Sequence, residues 1–190
     1  MSARIPLISP DSELNPEQRR VLDGLLGRRG GRIPGPYRFT LHCPEITELM
    51  HPLGELLRLK SGFPLRLSEL AIITTARGLD SEYIFNSHSV HALKGGIQQS
   101  VVDAMARAER PVFAQADEQA IYDYTRELVE NHRISDETYA RALKLFDVKG
   151  VVELAALIGY YSMVAATILA HEMPLPADVV RLAPRKATGR

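Results

Sequence analysis

The chain has 190 residues, 45% hydrophobic and 24% charged, which is the profile of one globular domain and excludes a disordered or fibrous chain. Its 23 basic and 23 acidic residues cancel, so no overall field recruits nucleic acid or an anionic membrane surface. A single cysteine, Cys43, excludes an internal disulfide, a cysteine-built zinc site and an intrachain redox pair, and fits a reducing, cytoplasmic setting.

Residues 1–14 hold two prolines and no apolar period, so they read as an extended arm. No apolar run of signal-peptide length precedes the prolines, and secretion is not expected. Asn15-Pro16-Glu17 starts a helix that carries Val21, Leu22, Leu25 and Leu26 on one face. Gly27 to Pro36 is a loop with four glycines, two prolines and the arginines Arg28, Arg29 and Arg32. These arginines are either a solvated basic loop or a clamp over an anionic substrate, since guanidinium groups pair with carboxylates bidentately. The loop lacks the spacing of a phosphate-binding loop.

Tyr37 to Cys43 is a short mixed segment. From Ile46 to Leu59 the apolar residues Ile46, Leu49, Met50, Leu53, Leu56 and Leu57 recur at three and four, an amphipathic helix with Pro52 inside it. A further helix opens near Glu69 and runs through Leu70, Ile72, Ile73 and Ala76 to Gly78. The next starts at about Ser81 and closes at Gly95-Gly96. Helices then span Gln98 to Arg107, Asp117 to Asn131, Ser135 to Phe146, and an apolar 149–172.

Residues 151–170 match a membrane span in length, but Glu153, Tyr160, Tyr161, Ser162 and Thr167 favour a helix buried in a bundle or at a subunit contact. The last residues, 181–190, read as a flexible basic tail. No period-two alternation is long enough for a strand. The expectation is one all-α domain over 1–190, an array of seven or eight helices.

Chemistry concentrates between Leu67 and Gly96. At about 100° per residue, Ser81, Ile84, Phe85, His88, His91 and Ala92 share one side of their helix, with Glu82 near its edge. A histidine beside apolar surface changes charge close to neutral pH and suits proton transfer, though a hydrogen-bonded interior histidine has the same pattern. His88 and His91 are spaced to share a metal, but no third ligand is evident, so no metal is expected. Glu69 either sits in a first helical turn, favoured by the dipole, or reaches His88 and orients its ring.

The span E-L-A-I-I-T-T-A-R-G-L-D-S-E-Y-I-F-N-S-H-S-V-H-A-L-K-G-G, from Glu69 to Gly96, resembles the carboxymuconolactone decarboxylase family, which includes the AhpD-like alkylhydroperoxidases. The resemblance covers roughly residues 45–110, with a decarboxylase-like lead-in, G-P-Y-R-F-T-L-H-C-P-E, before it. In that family a helix-opening glutamate, here Glu69, precedes E-Y-x-W-x-x-H, here Glu82, Tyr83, Phe85 and His88. Peroxidase members carry a C-x-x-C pair ahead of the histidine. Ser81 and Ile84 stand there, so the resemblance implies the decarboxylase side and not thiol chemistry.

What the resemblance implies is an AhpD-like helical fold and a cofactor-independent lyase that decarboxylates or isomerises a carboxylated unsaturated lactone or related small acid. His88 is the general acid/base, Glu69 its partner and Glu82 a further polar group of the pocket. Tyr37, Arg38, Arg77, Ile84 and Phe85 are candidates to bind the small anionic substrate. The family's trimers or hexamers imply a homo-oligomer, with 149–172 and the N-terminal arm at its interfaces. A non-catalytic binding protein of the same fold, or a metal-dependent hydrolase or oxygenase, are the alternatives.

Overall fold

In the structure, a computed structural model, residues 2–28, 30–31 and 33–185 are described, Arg28 by its backbone alone. Eight helices and no strand occur among them: α1 (Pro16–Arg28), α2 (Tyr37–Thr40), α3 (Pro44–Leu59), α4 (Leu65–Gly78), α5 (Glu82–Gly95), α6 (Gln99–Ala106), α7 (Ala116–Asn131) and α8 (Asp136–Ala170). Helix starts follow from local chemistry. Asn15 Oδ1 accepts from the Gln18 backbone N–H at 2.8 Å while Gln18 Oε1 accepts from that of Asn15 at 3.1 Å, a reciprocal cap of α1. Gly96 closes α5 with φ 107°, a conformation glycine adopts without a Cβ penalty.

The array is built around α4. Every residue from Leu67 to Gly78 is buried, and α4 packs against α3, α5, α6, α7 and α8. A helix enclosed on all sides must be apolar or satisfy its polar groups internally. Leu70, Ala71, Ile72 and Ile73 meet the first condition, and the hydroxyls of Thr74 and Thr75 meet the second by donating to the Leu70 and Ala71 carbonyls at 2.7 and 2.8 Å.

The break expected between Phe146 and residue 149 lies inside α8. Asp147 takes φ 58° and ψ −174°, dividing α8 into two helical arms, and its carboxylate accepts from the Gly150 N–H at 3.0 Å. By length and composition α8 is apolar enough to cross a bilayer, and half of its most apolar stretch is buried inside the protein.

Two sequence expectations need correction. On α3 the apolar row does not face inward: Ile46, Leu49, Leu53 and Leu56 are exposed, Leu49 by 75%, while Thr47, Met50, His51, Gly54 and Leu57 are buried. The inner face mixes Met50 and Leu57 with small and polar groups, and a tyrosine from α8 and a charged pair fill the space beside it. The tail expected from 181 is docked as far as Arg185. Val180 exchanges two hydrogen bonds with the Asn86 amide, and Ala183 N–H donates to the Ala106 carbonyl at 2.8 Å. Residues 186–190 lie outside the described residues.

Candidate active site

α4 supplies a carboxylate to the middle of the protein. Because α4 begins at Leu65, Glu69 lies beyond the first turn, and the helix dipole does not account for it. Its side chain is 0% exposed, so the charge must be met by partners. Oε2 lies 2.7 Å from Nδ1 of His88 on α5, and Oε1 accepts from Nε of Arg58 on α3 at 2.6 Å. Three helices thus hold one buried cluster.

Burial alone pushes the Glu69 carboxyl up. His88 and the Arg58 guanidinium outweigh it and hold the group below its ordinary value of 4.5. Burial pushes His88 down, against the pull of Glu69 and with that of Arg58 and His91, to below its ordinary 6.5. At neutral pH the pair is therefore an ionised carboxylate and a neutral imidazole. Nδ1 carries the proton and donates it to Glu69, which leaves the Nε2 lone pair facing outward.

It faces a cavity of about 470 Å³ lined by residues of the 33–37 segment, α3, α5 and α8, among them Tyr37, Arg58, Tyr83, Ile84, His88 and Tyr161. The Tyr161 ring stands edge-on to His88 with centroids 5.0 Å apart. Tyr160 packs against Tyr161 at 5.3 Å and donates to the Met50 carbonyl at 3.2 Å. Two glycines make room for these rings. A Cβ at Gly54 would collide with the Tyr160 hydroxyl, and one at Gly35 with that of Tyr83. The wall is rich in aromatic rings, with two imidazoles, His88 and His91, and one guanidinium, Arg58, among its polar groups.

The structure brings together Glu69, His88, Tyr37 and Ile84 as the sequence leads one to expect, and separates the others. Phe85, 1% exposed, is core and does not line the cavity. Arg38 donates to the Ile8 carbonyl at 3.1 Å and anchors the N-terminal arm. Glu82 faces away from His88 and binds Arg181 at 2.8 Å and the Leu182 N–H at 3.0 Å, tying down residues 180–185. Arg77 bonds Asp80 and the carbonyls of Met105 and Ala183. Arg29, Arg32 and the Arg28 side chain lie outside the described residues.

Arg58 is the residue that sequence reasoning missed. Among the described residues, no group of three or more His, Cys, Asp or Glu stands close enough to hold a metal ion.

Eight helices around a buried α4, with the Glu–His pair across α4 and α5, invite comparison with known proteins. No family model matches the sequence, and no curated protein does. Solved structures do match. A Cys-to-Ala variant of the debrominase Bmp8 in complex with 2,3,4-tribromopyrrole superposes with TM-score 0.73 at 14% identity, covering 93% of this chain and 94% of that one. The alkylhydroperoxidase AhpD core of an uncharacterized peroxidase-related protein from Ralstonia eutropha JMP134 gives 0.74 at 14% identity, covering 93% of both.

The chain adopts the AhpD-like fold. A putative antioxidant defence protein AhpD from Agrobacterium tumefaciens extends the likeness, with TM-score 0.63 at 14% identity over 71% of this chain and 93% of that one. Within this AhpD-like fold the two positions read against the cysteine pair hold Ser81, fully buried ahead of α5, and Ile84, which lines the cavity. The only thiol of the chain, Cys43, is exposed in the turn before α3.

Proposed function

We propose that this protein is a cofactor-independent enzyme that transfers a proton at carbon, decarboxylating or isomerising a small carboxylated unsaturated lactone or related acid. The observation that carries the reading is the 2.7 Å bond from buried Glu69 to His88 at the wall of an aromatic cavity of small-molecule size. Arg58 makes no second hydrogen bond among the described residues, and its outer guanidinium nitrogens are offered to the substrate carboxylate or to a developing enolate oxygen.

In decarboxylation the ring-carbon to carboxyl-carbon bond breaks, and its electron pair spreads into the unsaturated carbonyl as a dienolate. Carbon dioxide leaves, and a proton that His88 Nε2 has first taken up from solvent passes to carbon, returning the ring to its neutral form. In isomerisation Nε2 forms the same dienolate by taking a proton from carbon, then returns it at a second carbon. Glu69 stabilises the imidazolium in both cases.

The test is turnover of γ-carboxylated butenolides and β,γ-unsaturated keto acids, followed by carbon dioxide release and by deuterium uptake from heavy water. Wild type should consume at least one of these, and His88→Ala and Glu69→Gln should abolish it while folding normally. Full turnover in both variants would sink the proposal. A protein that binds these acids without consuming any is instead a binding module of the same fold.

The apolar row Ile46, Leu49, Leu53 and Leu56 supports a homo-oligomer in which a second copy covers α3, since a monomer rarely leaves such a row in water.

A further inference from the structure

Nothing in the proposed chemistry uses His91. It lies one turn beyond His88 on α5, the ring centroids are 6.0 Å apart, and it lines the same cavity. It is half-buried, so it touches both the cavity and bulk water, and among the described residues it has no hydrogen-bond partner that would fix it.

Decarboxylation consumes one proton per turnover, and His88 must be recharged from solvent. Its side chain is 15% exposed and its Nδ1 is held by Glu69, so the proton has to arrive at Nε2 through the cavity. Few groups there can carry it. The tyrosines ordinarily titrate near 10, and burial pushes Tyr83 higher still. Arg58 does not release a proton. Among the described lining residues only the second imidazole gains and loses a proton near neutral pH.

We infer that His91 is a proton shuttle between bulk water and Nε2 of His88. The inference rests on the reading that His88 takes up and releases a proton during turnover. The charges that act on His91 are Arg58 from α3, Glu69 from α4 and Lys94 from α5, and His91 in turn acts on His88. Burial and Arg58 bias it toward the neutral form, in which it accepts a proton at one nitrogen and passes one on from the other.

The test needs no substrate. In protein carrying 13C-labelled histidine, relaxation dispersion at the His88 ring near its own titration midpoint reports how fast Nε2 gains and loses its proton. In dilute phosphate buffer His91→Ala and His91→Asn should slow that exchange by about tenfold, and added free imidazole should restore it. An unchanged rate in both variants, or a slowing that imidazole does not relieve, overturns the shuttle. Either result is independent of the lactone assays, whose failure would remove the proposed reaction and leave the exchange measurement standing.

Discussion

Two cavities meet at Tyr83, and the larger is not the one beside the Glu69–His88 pair. It has about 1050 Å³ and is lined by Arg77, Asp80, Glu82, Arg126, Glu130 and Arg185. The smaller has about 470 Å³ and one guanidinium. In the larger the charges answer one another: Arg77 holds Asp80, Arg185 bridges Asp80 and Glu130, Arg126 meets Glu130, and Glu82 holds Arg181. Their hydrogen bonds fasten the ends of α4 and α7 and the segment 180–185. In the smaller, the buried carboxylate spends both oxygens on Arg58 and His88 and leaves Nε2 unspent. That unbonded Nε2 at a held geometry, not the density of charge, is the reason the proposed reaction is assigned to the smaller cavity.

That contrast can be broken from either side. Removing His88 by His88→Ala should lower turnover by about 10²–10⁴-fold, the ordinary contribution of a positioned acid/base. Glu82→Gln should leave turnover within about threefold, because the carboxylate serves the C-terminal segment; a loss comparable to that in His88→Ala would erase the distinction. Stability should respond the other way. Arg77 is 6% exposed with three partners, and Arg77→Ala should cost about 1–3 kcal/mol in chemical denaturation through the orphaned Met105 and Ala183 carbonyls.

Arg58→Lys should raise KM for an anionic substrate about tenfold or more, since lysine cannot hold Glu69 through Nε and still present a guanidinium face to the cavity. The same substitution at Arg38, which serves the N-terminal arm, should leave KM unchanged.

Acid should act first on the small cavity. His88, His91 and Glu69 all titrate below their ordinary values in the folded protein, so the unfolded chain binds more protons as the pH falls. Their contribution is full above the unfolded histidine value of 6.5 and drains away as the pH drops through the folded values, with Glu69 following from its unfolded value of 4.5. Melting temperatures from pH 7.5 to 5 should decline, and His88→Gln should flatten the upper part of that decline. The smallest effect concerns Glu82 again: its partner Arg181 is 72% exposed, and Glu82→Gln should cost less than about 1 kcal/mol. On the outer surface, Leu53→Glu should lower the mass measured by light scattering if α3 carries the contact between copies.

Much of the fold was legible because its signals are local. Proline-led starts, glycine stops and apolar periods mark the helices, and the break near Asp147 showed as a gap between two patterns. Glu69 was legible as a carboxylate inside an apolar helix, and His88 as a histidine on the same side of its helix as Ile84 and Phe85. Arg58 was not, and α3 explains why. The periodic leucines point outward, so the period assigned the wrong face to the core and hid the arginine next to Leu57 that turns inward. Which way an amphipathic helix faces depends on whether another copy or the core covers its apolar row, and a period does not encode that. Glu82 and Arg77 failed for a related reason. Their spacing relative to His88 is right for a shared pocket, but the chain from 180 to 185 returns to claim both, a contact about a hundred residues away in sequence.

The central claim is that burial keeps His88 neutral while Glu69 fixes its proton on Nδ1 and leaves a bare Nε2 toward the cavity. Nitrogen-15 NMR of the histidine rings at pH 7.5 measures that state directly. The account predicts a protonated Nδ1 and an unprotonated Nε2 for His88 in the wild type, with the preference lost in Glu69→Ala. An imidazolium, or a neutral ring with its proton on Nε2, would contradict it.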